Sequence, residues 1–152
     1  MKRKLVAATV VVSVGAAWLV TAVAQVKPEI LVKQRQAAMT LQGKYFGPLA
    51  GMAQGKLPYD ANIVQRNAGY LDVLDRMPWD GFDPSTKNVK SAALPAIWNE
   101  PAKFKEAQER LQSEVSRLVS VSKGGDEGAA KAQIGAVGKA CGNCHENFRE
   151  KQ

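Results

Sequence analysis

The run Cys141-Gly142-Asn143-Cys144-His145, near the end of the 152-residue chain, constrains its fold more than any other stretch. Two thiols three positions apart, followed at once by an imidazole, is the spacing for covalent haem attachment. On a helix, Cys141 and Cys144 stand at i and i+3, and Cys141 and His145 at i and i+4, so all three share one face. Each thiol is then placed for a thioether to a haem vinyl group, and the imidazole for axial ligation of the iron. The chain contains 2 cysteines and 1 histidine, and this run holds them all. A thioredoxin-like redox pair would follow a strand in a βαβ unit, but no strand pattern precedes Cys141. A zinc site wants about four ligands, and the run offers three, plus a carboxylate at best. A structural disulfide would leave His145 without a role.

The N-terminus reads as an address. Met1-Lys2-Arg3-Lys4 is basic, Leu5 to Val20 is apolar, and Ala22-Val23-Ala24 is a small-residue cleavage site before Gln25. This is the pattern of a secretory signal over residues 1–24, leaving a mature domain over 25–152. The alternative is a retained anchor, because Leu5–Ala24 approaches the about 20 residues that span a bilayer; Ser13, Gly15 and the Ala-x-Ala site favour cleavage. Removing Lys2, Arg3 and Lys4 lowers Lys+Arg from 21 to 18 against 14 Asp+Glu, and the net charge from +7 to +4. That surplus suits steering towards an acidic redox partner. No basic run with interleaved aromatics provides a nucleic-acid footprint. The expected location is the periplasm, free of the membrane once the signal is cut, which agrees with haem attachment on the far side of the bacterial membrane.

Hydrophobic periodicity gives four helical segments and no convincing strand. The first opens at Pro28 and runs to about Gln54, with an inner stripe of Leu31, Arg35, Met39, Tyr45 or Phe46, Leu49 and Met52. Pro48 lies inside it and is expected to kink or break it. The second follows Asp60 as N-cap, with Ile63, Ala68 or Tyr70, Leu71, Leu74 and Met77 facing inward until Pro78. The long stretch Trp79–Glu100 reads as a connection without regular structure, its Trp79, Phe82, Leu94, Ile97 and Trp98 packing across a bundle end. The third segment starts near Pro101, carries Phe104, Leu111, Val115 and Leu118, and ends at Gly124-Gly125. The fourth starts at Asp126. Its stripe, Ala130, Ile134, Val137, Cys141, Cys144 and Phe148, is the sharpest seam in the chain and puts both thiols on the core side. The expected fold is all-α: an antiparallel four-helix bundle with one long crossover between helices 2 and 3.

These features together resemble class II cytochromes c, and cytochrome c′ in particular. The C-terminal Cys-x-x-Cys-His is the most diagnostic element. Lys27-Pro28-Glu29, Arg35-Gln36-Ala37-Ala38-Met39, Pro58-Tyr59-Asp60-Ala61, Pro78-Trp79, Ile97-Trp98 and Phe148-Arg149 extend the resemblance over nearly the whole mature chain. It implies one covalent haem c per chain, held by Cys141 and Cys144, with His145 as axial iron ligand. It implies that Arg35 and Gln36 contact the haem, and a guanidinium suits a haem propionate. Met39, one turn from Arg35, falls at the position facing the distal side of the iron. Arg149 is expected beside the proximal pocket, and Trp79 and Phe82 in the wall of the haem cavity. The resemblance is weakest over Thr86–Leu94, so no haem contact is assigned there. It also implies a homodimer formed through the first two helices, in keeping with apolar Ile30 and Val73 off the inner stripes.

Ligand counting frames the expected function. A second histidine ligand is impossible, and Met39, Met52 and Met77 are the thioethers of the mature chain. With none on the iron, the haem is five-coordinate, high-spin and open to NO or CO. With Met39 bound, it is six-coordinate, low-spin and suited to electron transfer alone. The reading taken is an exported mono-haem electron carrier with Met39 unligated. A dedicated NO-binding or scavenging protein is the alternative. An enzyme such as a peroxidase lacks the distal histidine for acid–base work.

Overall fold

The structure, a computed structural model, describes residues 26–151; the expected signal, residues 1–24, lies outside them. Its helices are α1 (Pro28–Ala53), α2 (Ala61–Leu74), the single-turn α3 (Ala96–Asn99), α4 (Pro101–Ser122) and α5 (Glu127–Phe148). The four long ones close a ring in which α1 packs on α2, α2 on α4, α4 on α5 and α5 on α1. Between them lie Leu49, Met52, Val64, Ala68, Leu71, Leu111, Val115, Leu118, Ala130, Ile134, Val137 and Ala140. The antiparallel four-helix bundle is the fold expected from the periodicity.

Local chemistry sets the starts of α2 and α5. The Asp60 carboxylate accepts the N–H groups of Asn62 (2.8 Å) and Ile63 (3.1 Å) at the start of α2. Asp126 accepts the Ala129 N–H at 2.9 Å at the start of α5. Such caps contribute about 1 kcal/mol each. Gly125, at φ 75°, takes the left-handed conformation that turns α4 into α5.

Three details differ from the sequence reading. Pro48 does not break α1, which runs uninterrupted to Ala53. An internal proline costs about 3 kcal/mol, but Leu49 and Met52 beside it are 0% and 4% exposed, and burying two such side chains returns about 1.5–3 kcal/mol each. Met77, expected inside, is 52% exposed, because α2 ends at Leu74 and Met77 lies beyond the helical period. Near its start α1 buries Val32, Arg35, Ala38 and Gln42, while Leu31 and Met39 are half-buried. Two polar members of these faces are satisfied across the α1–α2 seam: Gln42 Nε2 donates to the Leu74 carbonyl (3.0 Å), and Asn67 Nδ2 to that of Tyr45 (3.0 Å).

The crossover is more ordered than expected. It contains 3-10 turns at Trp79–Phe82 and Pro84–Thr86, then α3. Its aromatics do pack across one end of the bundle. Phe82 and Phe104 meet edge to face at 4.9 Å, Phe104 and Phe148 at 5.2 Å, and the Trp98 indole N–H donates to the Phe82 carbonyl at 2.9 Å. Its far end is stitched to the residues after the haem motif. The Leu94 N–H donates to the Phe148 carbonyl (3.0 Å) and the Glu150 N–H to that of Ala92 (2.9 Å), forming an antiparallel bridge between Ala93 and Arg149.

Candidate haem site

Beneath the crossover lies a cavity of about 450 Å³, lined by α1, the crossover, the start of α4 and the end of α5. That volume is in the range of cofactor sites. The seam of α5 delivers Cys144 and His145 to its wall, while Cys141, one turn earlier, is half-buried against the hydrophobic core. Burial pushes the Cys141 thiol up to about 11, with Cys144 adding to the effect, and burial raises Cys144 as well. Both sulfurs are therefore neutral thiols at physiological pH. Burial, and then the neighbouring Arg149 cation, lowers the His145 value, so its imidazole is held neutral with a lone pair free for a metal.

Every other residue expected at the site reaches this cavity. Arg35, Gln36, Met39, Trp79, Phe82 and Arg149 all line it. Arg35 is 3% exposed, far from the solvated surface arginine that composition alone allows. Its guanidinium donates to the Gly81 carbonyl, to Thr86 Oγ1 (3.1 Å) and to Ser91 Oγ (2.9 Å), and lies 4.5 Å from the centroid of the Phe82 ring. No carboxylate partners it among these contacts. The two cations Arg35 and Arg149 line the cavity, and no Asp or Glu does. An aromatic-walled cleft with two thiols beside it, one neutral imidazole and two guanidiniums without acidic partners among the described residues fits a flat apolar macrocycle bearing carboxylates.

The thioether count also narrows. Met52 is 4% exposed in the core and Met77 is 52% exposed at the surface, which leaves Met39 as the thioether on the cavity wall.

Some of the wall lay outside the sequence reading. Ser91, Ala92 and Ala93, in the loop to which no contact was assigned, line the cavity, together with Thr40, Ile97, Phe104 and Phe148. Thr86 is fully buried and bonded to Arg35. Small hydroxyl residues in a loop carry no periodic signal, and only the ordered crossover brings them to the guanidinium.

Comparison with known proteins agrees with this geometry. The family model described as Cytochrome C′ matches residues 31–149. The cytochrome c′ of Rubrivivax gelatinosus is 39% identical over 126 residues, covering 82% of this chain and 98% of that protein. The crystal structure of cytochrome c′ from the same organism superposes with a TM-score of 0.78 at 38% identity, over 82% of this chain and 98% of that one. A nitric oxide complex and a carbon monoxide complex, each of a single-residue variant of the Alcaligenes xylosoxidans cytochrome c′, align at 37% identity and a TM-score of 0.76, over 82% of this chain and 98% of theirs. The chain belongs to the cytochrome c′ family, the haem-binding electron-transfer proteins that carry covalently attached haem c.

Proposed function

We propose that the protein is exported to the periplasm, loses residues 1–24, and works there as a homodimeric electron carrier whose haem also takes up NO or CO. When bound, the haem supplies one-electron redox chemistry and an open coordination position for a diatomic ligand. Cys141 and Cys144 would hold it through thioethers, and the neutral His145 imidazole would ligate its iron. Arg35 and Arg149 would meet its carboxylates with charge-assisted hydrogen bonds, with Gln36 beside the first of these. Trp79, Phe82, Phe104 and Phe148 exclude water from its edge.

The observation that carries the gas-binding reading is the lining of the cavity. It offers one imidazole, His145, and one thioether, Met39, which is half-buried on α1. A thioether is a weak ligand, and Met39 is fixed to a helix whose position is set by Val32, Arg35 and Ala38 packing beside it. In an apolar pocket an unligated sulfur costs little, whereas a misplaced ligand bond strains the helix. Met39 therefore acts as a steric lid. The NO and CO complexes of the Alcaligenes xylosoxidans variants support a haem in this family that can take up a diatomic ligand. The test is flash photolysis of the CO-bound ferrous protein. Met39→Ala raises the CO association rate and leaves haem attachment intact; an unchanged rate removes the lid from the account.

A further inference from the structure

One titratable group in the bundle has no role in holding the haem. Asp75, just past the end of α2, is 1% exposed. Neither of its carboxylate oxygens has a hydrogen-bond partner, and among the described residues they are the buried side-chain polar atoms left so. Native interiors rarely tolerate an unpaired ionised carboxylate, which would cost several kcal/mol. The nearest cation, Arg76, is 4.0 Å away, but its own side chain is 60% exposed and bonded to Asp72 at 3.1 Å. The other packed elements present amides rather than charges: Gln112 of α4 reaches the Asp75 backbone carbonyl at 3.5 Å, and Gln42 of α1 the carbonyl of Leu74. Burial, opposed by Arg76 and reinforced by Asp72, lifts the carboxyl to about 6.

The position of this group relative to the haem cavity gives it a consequence. The Asp75 carbonyl accepts the indole N–H of Trp79, and Trp79 lines the cavity and stacks on Phe82 at 6.2 Å. Asp75 thus stands directly behind the cavity wall, in a medium where charges act at far greater range than in water. We propose that Asp75 is a redox-linked proton site: electron uptake at the haem is accompanied by protonation of this carboxylate. The proposal rests on the electron-carrier reading. The balance is simple. One electron arrives from a one-electron donor protein and lowers the positive charge of the iron by one. The ionised carboxylate loses that attraction, and one proton from solvent converts it to the neutral acid. Oxidation reverses both transfers, and no other bond forms or breaks.

The experiment is a spectroelectrochemical titration of the haem-loaded protein from pH 4.5 to 8, wild type against Asp75→Asn. The wild-type midpoint potential should fall as pH rises through the range near 6. The variant should lose that dependence and keep the potential that the wild type shows at its acid end, because asparagine imitates the protonated state. Redox-difference infrared spectra of the wild type provide a readout that needs no variant: reduction near pH 6 should bring up the C=O stretch of a neutral carboxylic acid. Equal pH dependence in both proteins, or no carboxylic acid band on reduction, overturns the proposal and assigns any remaining dependence to the haem carboxylates or His145. Failure to record a reversible one-electron couple at any pH would instead refute the electron-carrier reading.

Discussion

Gly81→Ala tests how closely the crossover is pressed onto α1. A Cβ at this position would stand 2.6 Å from Arg35 Cβ, 2.9 Å from the Leu31 carbonyl oxygen and 3.2 Å from Arg35 Cδ. A change of rotamer could clear Arg35 Cδ. It cannot move Arg35 Cβ or the helix carbonyl, so the crossover must lift by about 1 Å to restore ordinary carbon–carbon separations. Overpacking of this kind costs about 1–3 kcal/mol. The lift also draws the Gly81 carbonyl away from the Arg35 guanidinium, a charged hydrogen bond contributing about 1.5–3 kcal/mol. The smaller unfolded-state entropy of alanine returns about 0.4–1 kcal/mol. The net loss is about 3 kcal/mol, which lowers Tm by about 12 °C in a domain of this size. Thermal unfolding of the haem-loaded protein, followed by far-UV circular dichroism, measures it. A Tm within about 3 °C of wild type would refute the claim that crossover and α1 are in hard contact here.

Two further outcomes follow from the described surfaces and charges. Because the folded Asp75 carboxyl titrates near 6 against an ordinary 3.8, the native state keeps a proton that the unfolded chain releases, so stability falls as pH rises from about 4 to about 6 and stays lower above that. The displacement sets a ceiling of about 3 kcal/mol, reduced to about 2 by solvent screening beside the exposed Arg76; Asp75→Asn should therefore raise Tm at pH 7 but scarcely at pH 4, and a gain equal at both would refute the assignment. Ile30, Leu41, Tyr70 and Val73 on α1 and α2 are 44%, 40%, 45% and 55% exposed, an apolar set that a homodimer would cover. Sedimentation at micromolar concentration should give a dimer for the wild type and a monomer for Val73→Glu; a monomeric wild type contradicts the dimer.

Much of this was legible in the sequence because its periodic and positional signals are strong. The 4, 3, 4, 3, 4 seam of α5 placed Cys141, Cys144 and Phe148 on one inward face, and Asp60 and Asp126 marked helix starts that the hydrogen bonds bear out. What escaped depends on balances that spacing does not express. Pro48 remains helical because its neighbours are buried deeply enough to offset it. Arg35 was expected on the inner stripe, but its three crossover acceptors come from residues 46 to 56 positions away, in a loop with no period. Asp75 looks like an ordinary charged residue at the end of a helix, and only the packed structure shows that α2, α4 and the Trp79 turn close over it.

The central claim, an open haem beneath a Met39 lid, is tested most directly by the optical spectrum of the pure ferrous protein at neutral pH. An unligated Met39 gives a five-coordinate, high-spin spectrum, unaltered in spin state by Met39→Ala. A low-spin ferrous spectrum in the wild type, turned high-spin by that substitution, would show Met39 to be the sixth ligand and contradict the claim.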